Sequence, residues 1–328
     1  MQFKKISNHE PIRLAFLGCG NITQKHTKTI RGIEKKVELF YASRTEKKAR
    51  QFCEKNKGAG FFGSYEMAIN SDKINTVLIA TPPDSHLDLA LKSIRAGKHV
   101  IVEKPPFFKS SDFDLIDAER KKTGVQVMVA ENYFYKPLLK NLKKILAADL
   151  IGEIKFMYFN ATKKQVQDDW RNNQQLTGGG ALFEGGIHWI NFISNLGFTI
   201  KKITGFQPQK ADSQLERSMQ VVAEYEEGMI GTLFYSWEID ALLKGVRMCR
   251  IYGKKGSITF EANGVFIFVR GKKWKFIFPG FTDIGGSKNM FIDFFKALRN
   301  GEEPAFNLAL AKRDLLFVEK AYLMKNEE

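Results

Sequence analysis

Short apolar runs recur along the first 130 residues, each followed by a polar stretch with helical spacing. The run at 12–17 ends in Gly18-Cys19-Gly20-Asn21 and leads into a stretch that keeps one apolar stripe through Ile30, which reads as strand, tight turn and helix. The pattern repeats with strands at 37–42, 76–80, 100–102 and 125–130 and helices at 46–56, 86–96 and 112–123. Pro82-Pro83-Asp84 breaks the third run, and Gly97 closes the helix behind it. Strands alternating with helices predict a parallel, doubly wound sheet.

Beyond about Ala130 the texture changes. Helical segments at 133–148 and 177–196 are separated and followed by period-2 or β-rich runs at 154–162, 219–225, 231–237, 246–252, 257–260, 265–269 and 274–278. Gly-containing turns join several of these, as at Glu227-Gly228 and Arg270-Gly271. They predict an α+β domain with a large, mostly antiparallel open sheet, closed by helices at 289–299 and 308–324. The expected division is into two domains, 1–130 and 131–328, with the C-terminal helix packing back on the first.

At 328 residues the chain is long enough for two such cores. Lys plus Arg number 51 against 36 Asp plus Glu, a formal +15, which raises the question of a polyanionic partner. The lysines come as scattered pairs such as Lys35-Lys36, Lys143-Lys144 and Lys272-Lys273, with acids between them and no run of five like charges. That distribution reads as a solvated surface rather than a nucleic-acid footprint. Cys19, Cys53 and Cys249 have no paired spacing, so neither a disulfide framework nor a zinc site is expected. The polar N-terminus and the lack of an 18-residue apolar stretch lead us to expect a soluble, cytoplasmic chain with no membrane partner.

Gly18-x-Gly20-x-x-Thr23 lies where a glycine turn lets backbone approach a pyrophosphate at a helix N-terminus. Thr23 in the third place weakens the bare motif, but its position after the first strand supports it. At the end of the second strand an NAD enzyme places a carboxylate for the ribose 2′-hydroxyl. Here stand Ser43 and Arg44, with Thr45, Lys47 and Lys48 nearby and the first acid only at Glu46. Hydroxyl and guanidinium donors suit a 2′-phosphate, so NADP(H) is expected in preference to NAD(H). Lys104, in Glu103-Lys104-Pro105-Pro106, ends a strand where open α/β sheets bind ligands. In the segment Gly178 to His188, Glu184 and His188 at i and i+4 would share a helical face, a carboxylate beside an imidazole suited to moving a hydroxyl proton.

Together these elements resemble the glucose-fructose oxidoreductase, inositol dehydrogenase and rhizopine catabolism (Gfo/Idh/MocA) family. The likeness runs nearly the whole chain: the Gly18-x-Gly20 turn, Ala80-Thr81-Pro82-Pro83-x-x-His86, Ala96-Gly97-Lys98-His99-Val100, Glu103-Lys104-Pro105, Gly152-Glu153-Ile154, Trp170-Arg171 and Gly178 to His188. The resemblance implies hydride exchange between a nicotinamide cofactor and a secondary alcohol of a sugar, cyclitol or related polyol. It also implies a homodimer or homotetramer formed through the C-terminal sheet. Carried over by residue, Gly18, Gly20, Asn21, Ile22, Ser43, Arg44, Thr81, Pro82, His86, Glu103 and Lys104 would face the cofactor. Lys104 would bind the reacting hydroxyl, His188 would be the acid or base, and Trp170, Arg171 and Glu184 would complete the substrate side, with no metal. The family usually has Asp where this chain has Glu184, and often an arginine before the proline where this chain has Phe134, Tyr135 and Lys136. Two other readings stay open: a non-catalytic dinucleotide-binding regulator on the same fold, and a glycosidase-like variant that uses its cofactor transiently.

Overall fold

The computed structural model describes residues 2–33, 36–165, 171, 173–208, 215–240 and 245–323. The chain divides into two compact units, Met1–Glu131 with Ser287–Lys312, and Asn132–Gly286 with Arg313–Glu328.

In the first unit the chain runs β1 (Ile12–Leu17), α1 (Asn21–Arg31), β2 (Val37–Ala42), α2 (Glu46–Lys55), β3 (Gly60–Phe62), α3 (Tyr65–Ile69), β4 (Thr76–Ile79), α4 (His86–Arg95), β5 (His99–Val102), α5 (Asp112–Thr123) and β6 (Val127–Val129). The six strands are parallel, in the order β3-β2-β1-β4-β5-β6. The chain starts in the middle and winds outward both ways, so β1 and β4 flank the point where the order reverses, the place where such sheets hold ligands. β1, β4 and β5 are covered on both faces and are almost continuously apolar, as a parallel sheet requires. β3 and α3 are absent from the sequence reading, since elements of three and five residues carry too little periodicity to stand out.

The second unit contains α6 (Pro137–Ala147), β7 (Ile154–Thr162), α7 (Gln174–Thr177), α8 (Ile187–Ser194) and the strands β8 (Ile200–Phe206), β9 (Ser218–Tyr225), β10 (Ile230–Ser236), β11 (Met248–Gly253), β12 (Gly256–Glu261), β13 (Ile267–Arg270) and β14 (Lys275–Ile277). Their order is β14-β13-β12-β11-β7-β10-β9-β8, antiparallel except where β7 pairs with β10. Alternation sets the two faces. Met157, Phe159, Leu233, Ile251 and Phe260 point into the core, where Phe192 of α8 meets the rings of Phe159 and Phe260 at 6.4 and 6.2 Å. Each fully buried Phe adds about 2–3 kcal/mol of transfer free energy. Phe156, Tyr158, Ile230, Phe234, Met248 and Tyr252 stand exposed on the opposite side.

The C-terminal part departs from a simple two-domain split at residue 130. The chain returns to the first unit at α9 (Ser287–Asn300), where the ring of Phe291 meets that of His26 edge-on at 5.0 Å and Gln126 Nε2 donates to the Ala297 carbonyl. α10 (Leu308–Leu323) belongs to the first unit up to Lys312 and to the second from Arg313.

Candidate functional site

The turn after β1 is built for close approach. Gly18 has φ +116°, and a Cβ there would sit 2.7 Å from the Ala80 carbonyl at the end of β4, so only glycine fits. A Cβ on Gly20 would meet nothing within 4 Å. Gly20 is also the N-cap of α1, with no side-chain cap and no acid in the first turn. The first N–H groups of an 11-residue helix therefore face an open space with the positive end of its dipole behind them. Thr23, where the motif has its third glycine, is buried and donates its hydroxyl to the Gly18 carbonyl at 2.7 Å, closing the turn. The uncapped helix start and the space that a side chain on Gly20 would fill have the shape and polarity a dinucleotide pyrophosphate needs.

At the end of β2, Ser43 is buried while Arg44, Thr45, Lys47 and Lys48 are exposed. Glu46, the one acid nearby, is held by Arg50 at 2.8 Å. Burial pushes the Cys19 thiol up to about 11, and the Lys48 ammonium pulls the other way, which places that charge within electrostatic reach of the glycine turn.

Lys104 follows β5 at the same sheet edge and is half-buried. Its turn is held from two sides. His86, 1% exposed, faces the carbonyls of Pro105 and Pro106 with Nδ1 at 3.0 and 3.2 Å, and that of Thr81 with Nε2 at 2.9 Å. Burial lowers the His86 pKa, while the carbonyls of Thr81 and Pro105 pull the other way, and the ring lies between the end of β4 and the turn after β5. Glu103 is buried, pairs through Oε1 with His26 Nε2 and accepts the Lys104 N–H through Oε2 at 3.1 Å. Burial would raise its pKa, but the facing His26, then Lys104, hold it below the usual carboxylate value. A buried anion is thereby fixed immediately before the lysine.

In the second unit, Glu184 does not lie on a regular α-helix: residues Leu182–Gly186 form a π turn that passes into α8 at Ile187. Such turns concentrate at functional positions. Two contacts explain why Gly185 within this turn and Gly180 just before it carry no side chain. A Cβ on Gly185 would fall 2.1 Å from the Tyr235 hydroxyl, and one on Gly180 1.9 Å from Glu216 Oε2. Arg171 Nε donates to Glu184 Oε1 at 3.2 Å; Trp170 lies outside the described residues. The Tyr235 hydroxyl accepts from Trp237 Nε1 at 3.2 Å, and burial, reinforced by the Glu184 charge, pushes its pKa well up. His188 is half-buried among buried neighbours, its ring stacked on Tyr133 with centroids 4.5 Å apart and planes 13° apart. Among the described residues no group of three or more His, Cys, Asp or Glu is arranged to hold a metal.

Residues 12–131 match the family described as oxidoreductase family, NAD-binding Rossmann fold, and residues 139–259 match the Gfo/Idh/MocA C-terminal domain. The chain belongs to the Gfo/Idh/MocA oxidoreductase family. Among curated relatives of this Gfo/Idh/MocA protein, Oxidoreductase P35 of Formosa agariphila is 28% identical over 259 residues, 76% of this chain and 79% of the relative. Trans-1,2-dihydrobenzene-1,2-diol dehydrogenase of Xenopus laevis is 26% identical, covering 74% and 73%. Among solved structures, aldose-aldose oxidoreductase from Caulobacter crescentus complexed with glycerol has a TM-score of 0.85 at 18% identity, over 97% of this chain and 98% of that one, a likeness of fold.

Several residues that build the Gfo/Idh/MocA chain's second unit are not legible as a motif. The N–H groups of Ala181, Leu182 and Phe183, which open the helix carrying Glu184 and His188, donate to the Glu216 carbonyl, Glu216 Oε1 and the Tyr322 hydroxyl, and Tyr322 in turn donates to Glu216 at 2.6 Å. Glu216 precedes β9 and Tyr322 lies near the end of α10. The only sequence hint is the glycine run itself, which signals that something packs against it.

Proposed function

We propose that this chain is an NADP(H)-preferring dehydrogenase or reductase acting on a secondary alcohol or ketone of a sugar, cyclitol or related polyol. The observation that carries the reading is the N-terminus of α1 behind Gly20, which no side chain caps among the described residues and which suits a dinucleotide pyrophosphate. A bound nicotinamide supplies two-electron hydride exchange with the substrate carbon. Ser43, Arg44, Lys47 and Lys48 hold the 2′-phosphate. Lys104 donates a hydrogen bond to the reacting oxygen and stabilises the negative charge that develops on it. His188 takes the hydroxyl proton in oxidation and returns it in reduction, while Glu184 and Arg171 line the substrate. Relatives named for a dihydrodiol and for aldoses support a substrate bearing a secondary alcohol. We also propose that copies of this chain associate through the open face of the second sheet, where Phe156, Tyr158, Ile230, Phe234, Met248 and Tyr252 stand exposed on one side.

The deciding experiment follows NADPH absorbance with a panel of aldoses, ketoses, cyclitols and vicinal diols in both directions. We expect turnover with at least one, NADP(H) favoured over NAD(H) by ~10-fold or more, and a loss of at least ~10²-fold in kcat for Lys104→Ala or His188→Ala with cofactor affinity retained. Cofactor binding with no turnover on any substrate would favour a regulator, and tight cofactor retention without net redox change a transient-cofactor enzyme. Tighter NAD binding would remove the 2′-phosphate assignment.

A further inference from the structure

The ring stacked on His188 belongs to a turn that the glycine and lysine motifs leave out. Asn132–Tyr135 form one turn of 3-10 helix, Lys136 donates its N–H to the Tyr133 carbonyl at 3.2 Å, and Pro137 starts α6. The chain at 285–286 pins this turn: Asn132 Nδ2 donates to the Gly285 carbonyl, and Gly286, with φ +78°, passes so close that a Cβ would lie 2.3 Å from the Asn132 carbonyl oxygen. The Tyr133 ring then has two defined neighbours besides His188. Trp189 meets it edge-on at 6.0 Å, and the Lys136 ammonium sits 4.2 Å over it. Lys136 is only 4% exposed, with Nζ 3.3 Å from the Ala262 carbonyl. A buried ammonium needs such partners, and the Tyr133 π face is one of them.

Resting on the reading of His188 as the proton-transfer group, we propose that Tyr133 is its positioning residue and that Lys136, rather than meeting substrate, clamps Tyr133 in place. The outer torsion of a histidine is broad and two-fold, so a half-buried imidazole has several ways to present its nitrogens. A parallel ring against one face fixes the plane in which both flips lie, and so narrows the directions from which a ring nitrogen can meet the hydroxyl. A group held this way acts on the rate of proton transfer, not on the affinity for substrate.

The test compares Tyr133→Phe, Tyr133→Leu and Lys136→Met in the full chain, using the most active of D-glucose, D-xylose, myo-inositol and trans-1,2-cyclohexanediol. We expect Tyr133→Phe, which keeps the stack, to retain kcat within ~3-fold, and Tyr133→Leu to lose ~10-fold or more with KM and NADPH affinity within ~2-fold. Lys136→Met should lose kcat in the same direction. The second readout needs no substrate. With five histidines in the chain, the Cε1–Hε1 signal of His188 is identified by its loss in His188→Ala, and the Tyr133 ring current should hold it upfield in the wild type and in Tyr133→Phe but not in Tyr133→Leu. Wild-type kcat in Tyr133→Leu, or an unmoved His188 signal, overturns the positioning role. Wild-type turnover in His188→Ala instead overturns the functional reading beneath it, so the two failures are distinguishable. Far-UV circular dichroism and NADPH titration show that each variant folds.

Discussion

The glycine turn makes opposite demands at two positions, and a pair of alanine substitutions separates them. Gly18 has φ +116°, and its added Cβ would press on the Ala80 carbonyl oxygen and carbon at 2.7 and 2.9 Å. Those are backbone atoms at the end of a buried strand, so they yield at a cost, and the positive φ adds its own. Together they should destabilise the chain by at least ~2 kcal/mol. Gly20 is different: its backbone is extended at φ −114° and ψ −171°, and its Cβ would enter open space. Alanine is poorer than glycine as an N-cap by some tenths of a kcal/mol, and the smaller conformational freedom of its unfolded chain offsets this by ~0.4–1 kcal/mol. The net change should stay within ~0.5 kcal/mol. The same methyl would stand where a pyrophosphate meets the first N–H groups of α1, so NADPH affinity should fall by ~10-fold or more, equal to ~1.4 kcal/mol. Urea unfolding gives the stabilities, and quenching of intrinsic fluorescence by NADPH gives the affinities. A Gly20→Ala protein that binds NADPH like the wild type, or one that loses stability as Gly18→Ala does, refutes the assignment of this turn as a cofactor cradle.

Two further outcomes test the packing around the sheet. The Gln126 N–H donates to His99 Nδ1 at 3.1 Å, and burial, followed by the nearby Lys4 charge, lowers the His99 pKa from 6.5 to about 4. As pH falls the unfolded chain takes this proton first, so the stability is fully present above about 6.5 and is lost on the way down to 4, by up to ~3 kcal/mol. His99→Asn keeps an acceptor at the same place without titrating, and urea melts between pH 7 and 4.5 should show a correspondingly flatter profile; identical slopes would remove His99 as the cause. All three cysteines are buried, and burial pushes Cys19 to about 11 and Cys249 to about 12. At pH 8 only ~10⁻³ or less of these two thiols is ionised, so their modification by a disulfide reagent should be ~10²-fold slower in the native chain than in denaturant. Fast labelling of the native protein would contradict that burial.

The sequence by itself determined what depends on near neighbours. The parallel sheet was legible because β1, β2, β4 and β5 are mostly apolar runs followed by helical stretches, and the dinucleotide turn because Gly18, Gly20 and a helix start lie within four residues. The open sheet was legible from alternation, apart from β8, where Lys201 and Lys202 stand together and blur the period. Lys104 could be placed because a strand end is a local feature with a known place in the fold. Tertiary structure alone decided the rest. Glu184 and His188 were expected one α-helical turn apart, and packing of Gly185 on Tyr235, 50 positions along the chain, accompanies a π turn instead. Nothing near Gly180 in sequence signals that Glu216 and Tyr322, themselves 106 residues apart, receive the N–H groups that follow it. The return of α9 to the first unit rests on contacts such as Phe291 with His26. Periodicity records how each residue relates to its own element, because burial repeats with the turn of a helix or the pleat of a strand. Which distant side chain fills a glycine's missing Cβ, or stacks on a histidine, is set only when the elements close on one another.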